Sequence, residues 1–293
     1  MRSGSNWSQA LTSARHHMRR DRVNVAAGAF AYRWFLALFP IIVALLALAA
    51  LVSLSRSGTA TLIRGVAEAL PAGAATVFNQ AITAAASHRR GALSTVVVAG
   101  GVALWSATSA MSMLEEGLDM AYELPLDRSF VQKRIIAFPL LGAAFVLGGS
   151  ASALTVFGSQ LGAAIRRSTP IGGPEFAAGW TALRWVVALV LMMVLFSVVY
   201  YLAPNHARPR WRWVSPGALL GTSMWAVTSL GFSVYTSSFG SYDRTYGAFA
   251  GVAILIFWLY LTGLAILVGA EVNAAFEREA AAADPGAAAP TTA

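Results

Sequence analysis

The chain contains no cysteine, so disulfides and thiolate metal sites are both excluded. Charge is scarce as well. Charged residues make up 12% of the sequence, about half the ~25% usual in soluble domains. Of its 21 basic residues, all but Lys133 are arginine. His16 and His17 are neighbours that cannot share a helix face, and His88 and His206 stand on separate loops, which argues against a multi-histidine metal site. Glu115-Glu116-x-x-Asp119 has the donors for a carboxylate-bound Mg²⁺, but no second acidic motif accompanies it. The sequence also lacks a P-loop, a G-x-S-x-G motif and a dinucleotide fingerprint. No catalytic residue, resident metal or cofactor is therefore nominated, and the chain is read as a non-enzyme.

What the sequence does have is long uncharged runs. Trp34–Ser55, Gly91–Leu114, Ile135–Ile165, Trp185–Asn205, Trp213–Tyr242 and Thr245–Ala270 each exceed 20 residues without one charged side chain. A helix needs roughly 20 apolar residues to cross a bilayer. The expected fold is all-α: a polytopic membrane protein of six transmembrane helices with short amphipathic surface helices. Residues 27–276 hold the spans. Residues 1–26 form a basic amphipathic cytoplasmic segment, and 277–293 an Ala/Pro-rich tail expected to be disordered. Residues 1–24 lack the short apolar core of a signal peptide, so the first span is expected to stay as an anchor.

Arg and Lys set the orientation. The N-terminal segment, the second and fourth loops and the tail carry 12 of them, and the opposite side carries seven. Positive charge marks the cytoplasmic side, which places both termini inside. Within the first segment, Trp7, Leu11, Ala14 and Met18 recur at spacings of three and four, with Arg15, Arg19 and Arg22 mostly off that stripe. This predicts a helix lying on the inner leaflet; a plain solvated basic leader is the alternative. In the first loop, Leu62, Val66 and Leu70 precede Pro71, and Ala74–Ala86 follows, predicting two short helices on the outer surface. The net charge of +8 points to anionic lipid head groups as partners rather than nucleic acid. A homo-oligomer or an envelope-export partner is left open.

Three groups of residues are candidates for function. On the inner side, Arg33, Glu115, Glu116, Asp119, Asn205, Glu271 and Asn273 fall at similar depth, near helix ends. Ionisable groups near hydrocarbon are costly unless paired or hydrated. Glu115 and Asp119 share a helix face and repel, so they need a cation, and Arg33 is the one expected to pair with Glu115 or Glu271. This inner cluster reads either as a polar gate or head-group site, or as a salt-bridge cluster that fixes helix ends. Pro40 and Gly247 are candidate hinge or gate positions; Pro139 also interrupts an apolar run. On the outer side, Arg184, Tyr242, Asp243, Arg244 and Tyr246 gather near one short loop, where interfacial aromatics are ordinary. Gly158 with Gly162, Gly217 with Gly221 and Gly247 with Gly251 form small-xxx-small pairs suited to close helix contact.

Several blocks resemble the YihY/BrkB family of bacterial inner-membrane proteins, including its YhjD-like branch. They are "AFAYRWFLALFP" at Ala29–Pro40, "LWSATSAMSMLEEGLDMAY" at Leu104–Tyr122, "YYLAPN" at Tyr200–Asn205, "SPGALLG" at Ser215–Gly221, "FGSYDRTYG" at Phe239–Gly247 and "WLYLTGLAILVGAEVNA" at Trp258–Ala274. Asp119 is a departure, since the family pattern favours Asn after Leu118. The resemblance implies a six-span protein of the bacterial plasma membrane, concerned with envelope integrity, serum resistance or lipid export. The family once carried a ribonuclease label, which these residues do not support. The reading that follows is a transporter or flippase-like protein for a lipid or amphiphilic envelope component. The alternative is a non-transporting scaffold that binds anionic lipid.

Overall fold

A computed structural model describes residues 7–51, 89–168, 174–205, 215–238 and 243–283. The first loop with its two expected surface helices lies outside them. The described residues hold eight α-helices: α1 Trp7–Arg20, α2 Val23–Leu51, α3 Arg89–Ala121, α4 Phe130–Ala143, α5 Gly149–Ser168, α6 Pro174–Leu202, α7 Pro216–Ser238 and α8 Asp243–Ala283. A π-helical turn, Ala144–Gly148, joins α4 to α5. The protein is all-helical, as the uncharged runs require, because a spanning backbone must satisfy its own polar groups.

Among the described residues, five segments are long and apolar enough to cross a membrane: Val23–Ile42, Val97–Ala121, Phe130–Thr155, Glu175–Leu202 and Gly251–Glu279. Within the remaining expected span, 213–242, the described residues Pro216–Ser238 form α7, a helix of 23 residues that is not among those five. It is uncharged, yet Thr222, Ser223, Thr228, Ser229 and Ser233 make it the least apolar of the set. Large apolar side chains lie on the outside of the spans, among them Val97, Phe145, Val186 and Val227. That is the surface a lipid-facing helix presents.

Local signals set the helix ends. Ser129 caps α4 in a reciprocal box with Gln132. Ser215 precedes Pro216 and its Oγ accepts the Ala218 N–H at 3.0 Å. The end of α3 closes through Glu123 N–H to Met120 O and Leu124 N–H to Asp119 O. That closure holds Glu123 at φ 56, a left-handed position usually given to glycine. Pro139 removes the donor for the Ile135 carbonyl, and the π turn begins downstream at Ala144. Pro40 stands inside an unbroken α2. At the other end, α8 continues to Ala283, past the expected start of the tail at 277, because its last turns are nearly all alanine and other strong helix formers.

The chain divides into two compact units, residues 1–24, 115–227 and 264–293 in the first, and 25–114 and 228–263 in the second. In the first unit, glycines bring helices together. A Cβ at Gly162 would overlap the Trp180 indole, and one at Gly158 would overlap Arg184. Trp180 Nε1 donates to the Gly158 carbonyl at 2.6 Å, locking α5 to α6. Where α7 crosses α8, a Cβ at Gly217 would overlap the Gly269 carbonyl oxygen, and one at Gly221 would meet Tyr200 and the Ala265 carbonyl. Two of the three expected glycine pairs thus sit at helix contacts. Two residues of the α1 stripe pack against α8: Ala14 is fully buried with Val272 and Ala275, and Met18 and Phe276 pack beside them. An apolar helix face gains as much from a protein surface as from a leaflet. In the second unit, Phe30 packs on Gly263, and Trp258 Nε1 donates to Ser229 Oγ at 3.2 Å.

Candidate functional site

One group of polar side chains in the first unit gathers around the end of α3. Glu115 is 1% exposed, and neither of its oxygens accepts a hydrogen bond among the described residues. Its nearest cation is Arg128 from the α3–α4 linker, with Nη1 3.7 Å from Oε2. The same guanidinium donates to the Ala203 carbonyl just beyond α6. Asp119, one helical turn on from Glu115, takes a different partner. Its Oδ1 accepts the Asn205 backbone N–H at 2.7 Å. The Asn205 side chain in turn donates to Asp127 Oδ1 at 2.9 Å. The repulsion expected between Glu115 and Asp119 is met by giving one a guanidinium and the other an N–H. Glu116 points away from this pair and binds Lys133 Nζ at 2.6 Å.

A second network lies where α7 begins. Asn273 Oδ1 accepts the Gly217 N–H at 2.8 Å, and its Nδ2 donates to Ser215 Oγ at 2.9 Å. Tyr122 hydrogen-bonds the same asparagine, and burial pushes its phenol well above the ordinary range, so it stays neutral. Tyr200 donates to the Ile266 carbonyl at 2.8 Å. Glu271 is wholly buried on α8, with both oxygens unpaired among the described residues.

Six of the seven inner-cluster residues therefore belong to the first unit: Glu115, Glu116, Asp119, Asn205, Glu271 and Asn273. The seventh, Arg33, belongs to the second unit, where its Nη1 donates to Ser109 Oγ at 3.4 Å. Sequence reasoning missed Arg128 and Lys133 as partners, having used both only for topology. The available signal was their closeness in sequence to the Glu115–Asp119 segment. It also missed Ser215 and Tyr200, both inside quoted blocks. Of the outer group, Arg184 lies on α6 against Gly158, with its Nε buried and without a hydrogen-bond partner among the described residues. Tyr242 is outside the described residues, and Asp243, Arg244, Tyr246 and Gly247 fall in the first turns of α8.

The second unit holds a cavity of about 570 Å³ lined by Thr228, Gly231, Phe232, Ile254, Phe257 and Leu261, nearly all apolar. Its size is that of small-molecule sites in general. No group of three or more His, Asp or Glu placed to hold a metal ion occurs among the described residues.

Comparison with known proteins gives one family. The sequence model of a family described as virulence factor BrkB matches residues 14–292. A putative ribonuclease-like protein, YfkH, of Bacillus subtilis is 34% identical over 247 residues, covering 83% of this chain and 86% of the relative. A UPF0761 membrane protein of Vibrio cholerae is 30% identical over 281 residues, covering 95% and 89%. Another UPF0761 membrane protein, from Pseudoalteromonas atlantica, is 26% identical over 268 residues, covering 89% and 84%. No solved structure matches.

Proposed function

The chain belongs to the BrkB family of membrane proteins, and on that premise we propose that it moves a lipid or other amphiphilic envelope component across the bacterial plasma membrane. The observation that carries this reading is Glu115: a carboxylate 1% exposed, in a membrane-crossing helix, with a guanidinium at 3.7 Å and no hydrogen bond among the described residues. Ionisable groups at such depth are expensive and mark polar paths in many transporters. The apolar cavity of the second unit suits an acyl chain, and Arg184 suits an anionic head group. The UPF0761 membrane names of two of the relatives give no catalytic step. The test is purified protein in liposomes carrying labelled lipids, with movement between leaflets measured directly. Scrambling or directed transfer above protein-free vesicles is the expected result. Movement equal to protein-free vesicles across anionic and neutral lipids removes the proposal.

A second reading has its own support. Asp119 and Asn273 both spend their side chains on backbone N–H groups, which is what a bundle-locking scaffold would do. For either reading, the excess of 12 basic residues over seven supports a cytoplasmic location for both termini. Because the chain has no cysteine, a single cysteine introduced near either end reports its side by labelling with an impermeant maleimide.

A further inference from the structure

A cation stands inside the first unit with no acid among the described residues to meet it. Arg184 lies on α6 within the span Glu175–Leu202. Its side chain lies over Gly158 of α5, where a Cβ would come within 2.8 Å of its Cδ and 3.4 Å of its Nη1. One turn earlier on α6, Trp180 sits over Gly162, so the two glycines clear a flat strip of α5 backbone for both side chains. The Gly158 carbonyl is already taken by Trp180 Nε1 at 2.6 Å. Arg184 Nε is buried and makes no hydrogen bond, and the side chain enters no ion pair, among the described residues.

The sequence around it offers no acid either. Between Asp127 and Asp243 the only acid is Glu175. Nine residues before Arg184, it is ~13.5 Å away along the helix axis and half a turn round it, on the opposite face. Charge at this end of the two helices is otherwise positive, since Arg166 and Arg167 close α5. An arginine inside a span is costly unless an anion or water meets it. The surroundings decide which anion can. Phe157, beside Gly158, and Leu183 and Trp185, on either side of Arg184, are all exposed, so the half-buried arginine is flanked by a surface that faces hydrocarbon. A free phosphate ion does not enter there. The phosphate of a lipid does, because its acyl chains are at home on the same surface. An arginine stem and a locally thinned leaflet close a gap of that size.

We propose that Arg184, seated over Gly158, binds the phosphate of a membrane phospholipid. The planar guanidinium presents paired N–H donors to two phosphate oxygens, and the lipid supplies the missing negative charge. This site rests on the lipid reading of the protein and gives that lipid a class, a phosphate ester. It holds its lipid whether or not the protein moves it.

The test is native mass spectrometry of the purified full-length protein in detergent, titrated with phosphatidylglycerol and with diacylglycerol of the same chains. The parent should prefer phosphatidylglycerol, and Arg184→Gln should lower that preference about tenfold, the loss of one charge-assisted contact. Arg184→Lys should keep part of it, and Arg167→Gln, at the exposed end of α5, nearly all. Excess inorganic phosphate should leave the bound lipid in place. Equal binding of the two lipids, an Arg184→Gln variant that binds as the parent does, or an equal loss in Arg167→Gln overturns the site. Displacement of the lipid by inorganic phosphate overturns the lipid assignment and makes this a free-anion site. Should Arg184→Gln fail to insert, Gly158→Val, which pushes the stem off α5, must lower the preference in its place. A parent without the preference that still moves lipid between leaflets removes this site and leaves transport standing; a parent with it that moves none does the reverse.

Discussion

Asn273 on α8 holds the start of α7: its Oδ1 accepts the Gly217 backbone N–H at 2.8 Å while its Nδ2 donates to Ser215 Oγ at 2.9 Å. The first N–H groups of a helix have no partner within the helix, and here one is satisfied from a neighbouring helix. Ser215 satisfies another through Ala218. One buried amide therefore joins two helices by reading the backbone of one of them.

Asn273→Ala leaves the Gly217 N–H buried without an acceptor. The cost of such a group is ~1–3 kcal/mol, so the variant should melt clearly below the parent in detergent. Asn273→Asp keeps the acceptor and loses the donor to Ser215, and should fall between the two. A melting curve for Asn273→Ala that overlays the parent would mean that this contact contributes nothing to stability.

The same crossing makes a second prediction. A methyl group at Gly217 would overlap the Gly269 carbonyl oxygen, which is backbone and cannot swing aside, whereas one at Gly231 meets nothing within 4 Å. Gly217→Ala should therefore lower stability by ~1–3 kcal/mol, the usual range for overpacking. Gly231→Ala should be neutral or stabilising by up to ~1 kcal/mol, since alanine is the better helix former. Thermal melts of the two variants side by side decide it; equal shifts would mean the helices simply move apart.

Glu115 and Arg128 should behave as a pair. Both are nearly enclosed, at 1% and 9% side-chain exposure. Removing one member of a buried pair costs ~3–5 kcal/mol because the other charge is stranded. Arg128→Met should then be poorly tolerated, and Arg128→Met with Glu115→Gln should regain part of the loss. A double-mutant cycle on melting free energies measures the coupling. Strict additivity would mean that the 3.7 Å approach carries no energy.

The fold was legible because each span announces itself as an uncharged run, and charge is what a bilayer excludes most strongly. Helix α7 was visible in that signal as a helix, while its hydroxyl residues keep it out of the five segments apolar enough to cross a membrane. The glycine pairs at Gly158 and Gly217 were legible for the same reason that they work, since small residues at a spacing of four leave one flat face. The site was legible by residue and less so by partner. Nothing in spacing shows that Arg128, on a linker, reaches back 3.7 Å from Glu115, or that Asp119 spends its charge on the Asn205 N–H. Nor does periodicity reveal a neighbouring helix: Ala14 and Met18, part of the stripe Trp7, Leu11, Ala14 and Met18, pack on α8. Glu123 was invisible for another reason: its left-handed backbone is usually signalled by glycine, and here a glutamate takes the position and reaches His17 and Arg20.

Transporter and scaffold part company at the helix breaks. Pro40 lies inside α2 and leaves the Leu36 carbonyl without its usual donor, a weak point about which a helix can bend. Gly247 stands in the early turns of α8, where a side chain would hinder close approach of a neighbour or a ligand. If the helices move around a polar path, Pro40→Ala and Gly247→Val should impair envelope-lipid function while the protein still inserts and folds. Asn273→Ala should lose function only as far as it loses stability. The measurement is complementation of a deletion strain, set against detergent melting curves for each variant. A set in which lost function simply tracks lost melting temperature, Pro40 and Gly247 included, leaves no role for gating. The buried charges would then be understood as bonds that hold a scaffold closed.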